Sequence, residues 1–313
     1  MKRTVLSMFF SLIATLSSVS AFADSLEVVA TVPALASLAQ EIGGDQIKVT
    51  SLSLPTQDPH FIDARPSLAL ALNRADLLLF VGLELEQGWL PTLMTSARNG
   101  KIQPGASGYL DCSSVVERLG VSNTALDRRM GDVHPAGNPH YLFDPRNALR
   151  VAQAIAERLA AIDPENAASY QTRLESFQTD LSQRIAAWEA RMVPFKGAPI
   201  IAYHSSWLYL ATWLGLTEVA FIEPKPGIAP TPAHVAQVLA IGRAKGVRAI
   251  LQETFYADSA SRLIAEKIPA RLLRLSAGPD VRGGESYAAQ IEKIVSALEA
   301  ALLPQAHQAE VTP

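Results

Sequence analysis

Between Pro164 and Val193 the chain has no internal glycine or proline, and Leu174, Phe177, Leu181, Ile185 and Trp188 recur three or four residues apart. That spacing predicts one helix of roughly 30 residues, about 45 Å long at 1.5 Å per residue. The heptad pattern is too brief for a coiled coil. A rod of this length reads instead as a link between two lobes. On either side of it the same pattern recurs, with short apolar strands alternating with helical segments. Before the rod come strands over 26–31, 47–54 and 77–81, with helices over 33–42 and 63–71 and another from Asp144 to about Ile162. After it come strands over 199–203, 219–222, 249–252 and 272–275, with helices over 205–214, 234–245 and 287–303. Alternation of this kind predicts α/β lobes with parallel-type sheets. Ligands of such sheets sit beyond the carboxyl ends of strands.

The domain boundaries follow. Residues 1–23 read as a signal peptide: Lys2 and Arg3, an apolar run from Val5 to about Leu16, then Ala21-Phe22-Ala23 as a small-x-small cleavage site. Residues 24–163 form an N-terminal α/β lobe, 164–193 the linking helix and 194–313 a C-terminal α/β lobe. The leader implies work in the periplasm. No cysteine follows its apolar run, so the expectation is a protein that is not lipid-anchored. The lone cysteine, Cys112, cannot form an internal disulfide and reads as a small packed residue. Zinc sites built from several thiolates are excluded. The chain carries 27 Lys+Arg and 30 Asp+Glu; removing Lys2 and Arg3 leaves 25 against 30. A mildly acidic chain without a basic run is a poor nucleic-acid partner.

Three of the six histidines stand where chemistry is expected. His60 follows the second strand, and His204 sits at the carboxyl end of the strand over 199–203. His140 lies in a turn-rich stretch, GDVHPAGNPHYLFDP, which ends in Asp144-Pro145, a helix cap followed by proline at the first helical position. Asp280 follows the last strand. Three neutral imidazoles and a carboxylate, two from each half of the chain, are a donor set that Zn²⁺ accepts in a four-coordinate site. His134, in the same turn-rich stretch, and Glu253, after the strand over 249–252, are auxiliary candidates. Glu253 is read as an acceptor for an imidazole N–H, a further ligand or a general base. His234 reads as a surface residue and His307 as part of a polar tail. Singly, each of these positions also suits a solvated or satisfied side chain. A periplasmic zinc-dependent hydrolase would use the same residue types with an open water position, although no HExxH helix is present. An extracellular adhesin is a third class.

These segments resemble the zinc- and manganese-specific solute-binding proteins of bacterial ABC importers, in their ZnuA-like zinc branch. DPHFID with His60, GNPHYLFDP with His140, AYHSSWLYLATWLGL with His204, and the segment EPKPGIAPTPAHV carry the resemblance, with Asp280 ahead of VRGGESY where an acidic ligand is expected. The resemblance covers nearly the whole chain beyond the leader. It implies two α/β lobes joined by a long rigid helix, metal in the inter-lobe cleft, and no enzymatic activity. It implies Zn²⁺ as the transported ligand, held by His60, His140, His204 and Asp280, since manganese members often carry glutamate where His204 stands. A manganese-binding member is the nearest alternative. The implied partner is an ABC importer permease in the inner membrane, with a periplasmic metallochaperone as a further candidate. The expected state is a monomer. The long His- and acid-rich loop of many zinc members is replaced here by a short segment with His134 alone.

Overall fold

A computed structural model of the protein describes residues 25–121 and 134–304; the leader over 1–23 and the tail with His307 lie outside the described residues. In chain order the first lobe contains β1 (Leu26–Ala30), α1 (Pro33–Gly43), β2 (Ile47–Ser51), α2 (Pro66–Arg74), β3 (Leu77–Phe80), α3 (Leu90–Ala97), β4 (Tyr109–Asp111) and α4 (Pro145–Ile162). A short 3₁₀ turn over Pro164–Asn166 leads into α5 (Ala167–Met192). The second lobe contains β5 (Pro199–Ala202), α6 (Leu208–Leu214), β6 (Thr217–Phe221), α7 (Pro232–Lys245), β7 (Ala249–Glu253), α8 (Ser259–Lys267), β8 (Arg271–Leu275) and α9 (Tyr287–Leu302).

Both sheets are parallel throughout, and they share one plan: β2-β1-β3-β4 in the first lobe and β6-β5-β7-β8 in the second. In each, the chain moves one strand outward from its first strand and then crosses to the other side, which opens a crevice at the carboxyl ends. The pleat explains how the lobes pack. Val28, Ala30, Leu77 and Leu79 face the central core, and Val29, Leu78 and Phe80 face a separate cluster under α2 and α3. In the second lobe Ile200, Ala202, Ala249 and Leu251 join the same central core, while Ile201 and Ile250 pack under α7 and α8. One apolar cluster therefore runs through both lobes.

The long helix is part of that cluster. Its buried face is Tyr170, Leu174, Leu181, Ile185, Trp188 and Met192, against α1, α4 and α9. Its C-terminal end is fastened to the second lobe: Trp188 Nε1 donates to Glu292 at 2.7 Å, and Arg191 reaches Glu292 and Glu299 at 2.7 and 2.8 Å. Directly between the lobes, Phe143 and Trp207 lie with ring centroids 4.4 Å apart, and Tyr287 Oη donates to the Leu142 carbonyl at 2.7 Å. The lobes are thus packed against each other as well as tethered. Cys112 is buried and free, and burial raises its thiol well above the ordinary range, which leaves it unreactive.

Candidate metal centre

His60 and His140 are presented by the same local device. In Asp58-Pro59-His60 and Asn138-Pro139-His140, an Asx side chain folds forward over a proline to a histidine two residues on. Asp58 Oδ1 accepts the backbone N–H of His60 at 3.0 Å and its ring Nδ1–H at 2.7 Å. Asn138 Oδ1 accepts the backbone N–H of His140 at 2.9 Å and its Nδ1–H at 3.0 Å. Asn138 Nδ2 then donates across the cleft to the Ser205 carbonyl at 2.7 Å, next to His204. His204 follows β5, and its Nδ1–H is held by the buried Glu223 carboxylate, whose other oxygen accepts the Gly227 N–H at 3.1 Å. His134 donates from Nδ1 to the Leu83 carbonyl at 2.9 Å.

All four rings therefore use Nδ1 for the protein, and none of these bonds engages Nε2. The Nε2 atoms of His60, His134 and His204 are buried and have no partner. The rings of His60, His140 and His204 form a near-equilateral triangle, with centroids 5.3, 5.4 and 5.4 Å apart. One ligand atom from each lies within 4.8 Å of the others. Three nitrogens on a tetrahedral Zn²⁺ stand about 3.3 Å apart at bond lengths of about 2.0–2.1 Å, so the triangle has to close by no more than about 1.5 Å to reach coordination geometry. The His134 ring is 5.4 Å from that of His60, beside the triangle.

The electrostatics keep the donors available. Burial, reinforced by the neighbouring His60 and His204, lowers His134 to about 4, and the same causes hold His140 well below the usual histidine range. Burial also acts to lower His204, but the hydrogen bond and charge of Glu223, together with the charges of Glu253 and Asp58, outweigh it, and the net shift is upward. Burial acts to raise Asp58, and its hydrogen bonds from His60 outweigh that, so its carboxyl is held low. Asp58 and Glu223 thus orient two of the imidazoles and place negative charge beside them.

The remaining expected residues fall differently. The structure does not bring Asp280 into the triangle. It is exposed, it caps the 3₁₀ turn over Val281–Gly283, and its Oδ1 accepts the Gly283 N–H at 3.2 Å. Glu253 ends β7, buried, with Oε2 unpartnered; burial pushes its carboxyl up to about 7, partly offset by the nearby charge of His204 and a hydrogen bond from Ser206. His234 is on the surface side and touches the Phe221 carbonyl. Sequence reasoning passed over Asp58, Asn138, Glu223 and Leu83. The first two carried a signal, the repeated Asx-Pro-His spacing.

Glu223→Gln should both weaken metal binding and flatten its pH dependence. Loss of an orienting acceptor costs roughly 10- to 100-fold in affinity. His204, raised by Glu223, carries a proton that the metal must displace, so affinity falls as pH drops through the folded value above 6.5. His134, at about 4, carries none to displace in that window. Without Glu223 the lowering effect of burial weighs more, and His204 shifts toward the neutral form. Titrations at pH 8 and pH 6 check this; a slope unchanged in the variant would show that His204 is not the titrating ligand.

A parallel two-lobe α/β fold with a cluster of imidazoles at the strand ends between the lobes defines a metal-binding substrate-binding protein. The profile described as "ZnuA: Zinc-uptake complex component A periplasmic" matches residues 28–301, and the chain belongs to that family. Its members are substrate-binding components of metal ABC transporters and not enzymes. Among curated relatives, the iron-binding protein YfeA of Yersinia pestis is 25% identical over 251 residues, 80% of this chain and 76% of YfeA. The manganese ABC transporter substrate-binding lipoprotein PsaA of Streptococcus pneumoniae is 25% identical over 290 residues, 88% of this chain and 89% of PsaA. Among solved structures, a zinc-bound ZnuA lacking residues 138–173 of its own chain superposes with a TM-score of 0.76 at 22% identity, covering 90% of this chain and 100% of that one. This last likeness shows the fold.

These relatives correct one expectation. PsaA and several others are named as lipoproteins, so the expectation that this chain is not lipid-anchored does not stand. A location outside the cytoplasm agrees with the family.

Proposed function

We propose that this protein captures Zn²⁺ between its lobes and delivers it to the permease of an ABC importer in the inner membrane. The observation that carries this reading is the convergence of imidazoles whose Nδ1 atoms are all occupied by the protein, while the Nε2 atoms of His60, His134 and His204 are buried without a partner. Imidazole suits Zn²⁺, whereas Mn²⁺ favours carboxylate oxygens and a larger coordination number. Relatives named for manganese and iron show that the family's cargo varies. The donor set of this chain favours zinc.

His60, His140 and His204 are the proposed primary ligands, and His134 is the proposed fourth. Its buried, unpartnered Nε2 supports that role, while the Asp280 carboxylate is engaged in its own turn. Glu253 acts on the charge of His204. His134→Ala should weaken zinc at least about tenfold, and Asp280→Ala should change it by less than about twofold, as expected for a residue away from the site. Competition against a chromophoric chelator reads both. The reverse ranking would return Asp280 to the fourth position.

A further inference from the structure

The turn after β3 is the least comfortable backbone in the described residues. Gly82, Leu83 and Glu84 have φ of 78°, 51° and 68°, three left-handed residues in a row, two of them with side chains that disfavour it. A side chain at Gly82 would collide with Asp111 Oδ1, at 2.2 Å from the added carbon. The middle residue, Leu83, supplies the carbonyl that receives His134 Nδ1–H at 2.9 Å. One buried carboxylate closes this turn. Glu86 Oε1 accepts the Thr31 hydroxyl at 2.6 Å and the Val81 N–H at 2.7 Å, and Oε2 accepts the Gly82 N–H at 3.1 Å. Glu86 is 3% exposed, so water does not substitute for these bonds.

We infer that Glu86 is a positioning residue for the metal site: by locking the left-handed turn after β3 it aims the Leu83 carbonyl at His134 and so turns that ring's Nε2 toward the cleft. This rests on the reading of His134 as a ligand. The two carboxylate oxygens accept three donors, and an amide cannot do so. Glu86→Gln sets an NH₂ group against at least one of those donors, which releases the turn from one strand end. The same segment also touches the other ligand loops, through Trp89 Nε1 to the Pro59 carbonyl at 2.9 Å and Tyr141 Oη to the Val81 carbonyl at 2.8 Å. The test therefore has to separate His134 from a general loosening.

A double-mutant cycle with Zn²⁺ as the probe does so. Glu86→Gln is expected to weaken zinc about tenfold in the wild-type chain, and by less than about twofold in a chain that already carries His134→Ala. An equal loss in both backgrounds, or no loss in the first, overturns the proposal. Ring ¹⁵N shifts of His134 in metal-free protein give an independent reading: one Nδ1–H tautomer in wild type, a mixture in Glu86→Gln. If His134→Ala alone leaves zinc affinity unchanged, His134 is no ligand and the proposal falls with that reading, whereas an unshifted tautomer in Glu86→Gln overturns the aiming of the ring itself. Should Glu86→Gln not fold, Thr31→Ala removes one donor, keeps the carboxylate, and carries the same cycle with a smaller loss.

Discussion

His204→Ala is expected to weaken zinc binding by about two orders of magnitude. Four-ligand structural zinc sites are worth about 10–16 kcal/mol, so one ligand accounts for roughly 3 kcal/mol, or about a hundredfold. The effect on the metal-free protein is separate. Removing the imidazole leaves Glu223 buried beside no cation, and breaking such a pair from one side is destabilising. Melting the metal-free variant measures that part, and competition titration measures the rest. The same residue is the proposed determinant of metal choice. A carboxylate at this position favours Mn²⁺ relative to imidazole, but His204→Glu alone places two carboxylates against each other. His204→Glu combined with Glu223→Gln removes that repulsion and should lower the ratio of zinc to manganese affinity. A ratio equal to that of wild type would remove His204 from the metal.

Zinc should also raise the melting temperature by roughly 8 °C. A ligand bound only by the native state adds about 4 kcal/mol at a thousandfold excess over its Kd, and 1 kcal/mol shifts Tm by about 2 °C in the largest single domains. The premise that unfolded chain does not bind follows from the spacing: His60, the stretch with His134 and His140, and His204 lie far apart in sequence and meet only when the chain folds and the second lobe brings His204 to the first. Acid should undo the gain, since zinc competes with the proton that Glu223 favours on His204. Identical melts with zinc and with chelator would mean that the imidazoles do not act together.

The elements most legible in the sequence were those with a strong local cause. The strands that became β1, β3, β5 and β7 are apolar runs because both faces of a parallel sheet are covered. The long helix was visible from its apolar spacing, though its first residues, Pro164–Asn166, form a 3₁₀ turn. α2 starts at Pro66, three residues after the expected position, with the proline at its first turn. β4 escaped because Tyr109–Asp111 is only three residues at a sheet edge, and α3 and α8 escaped because they are short. In the site, position after a strand singled out His60 and His204, and the turn-rich stretch singled out His140. The partners that aim the rings were less visible for a physical reason. Glu223 is 19 residues from His204, and Leu83 is 51 from His134, so only folding brings them together. Asp280 followed a strand as the others did, but the turn after it uses the carboxylate locally.

The most direct measurement is zinc stoichiometry under chelator competition for the full chain and for a variant with His60, His140 and His204 all replaced by alanine. The expected result is one tightly held Zn²⁺ per wild-type chain and none that survives competition in the triple variant. Retention of zinc by the triple variant, or failure of the wild-type chain to compete with the chelator, would contradict a metal site built on these three imidazoles.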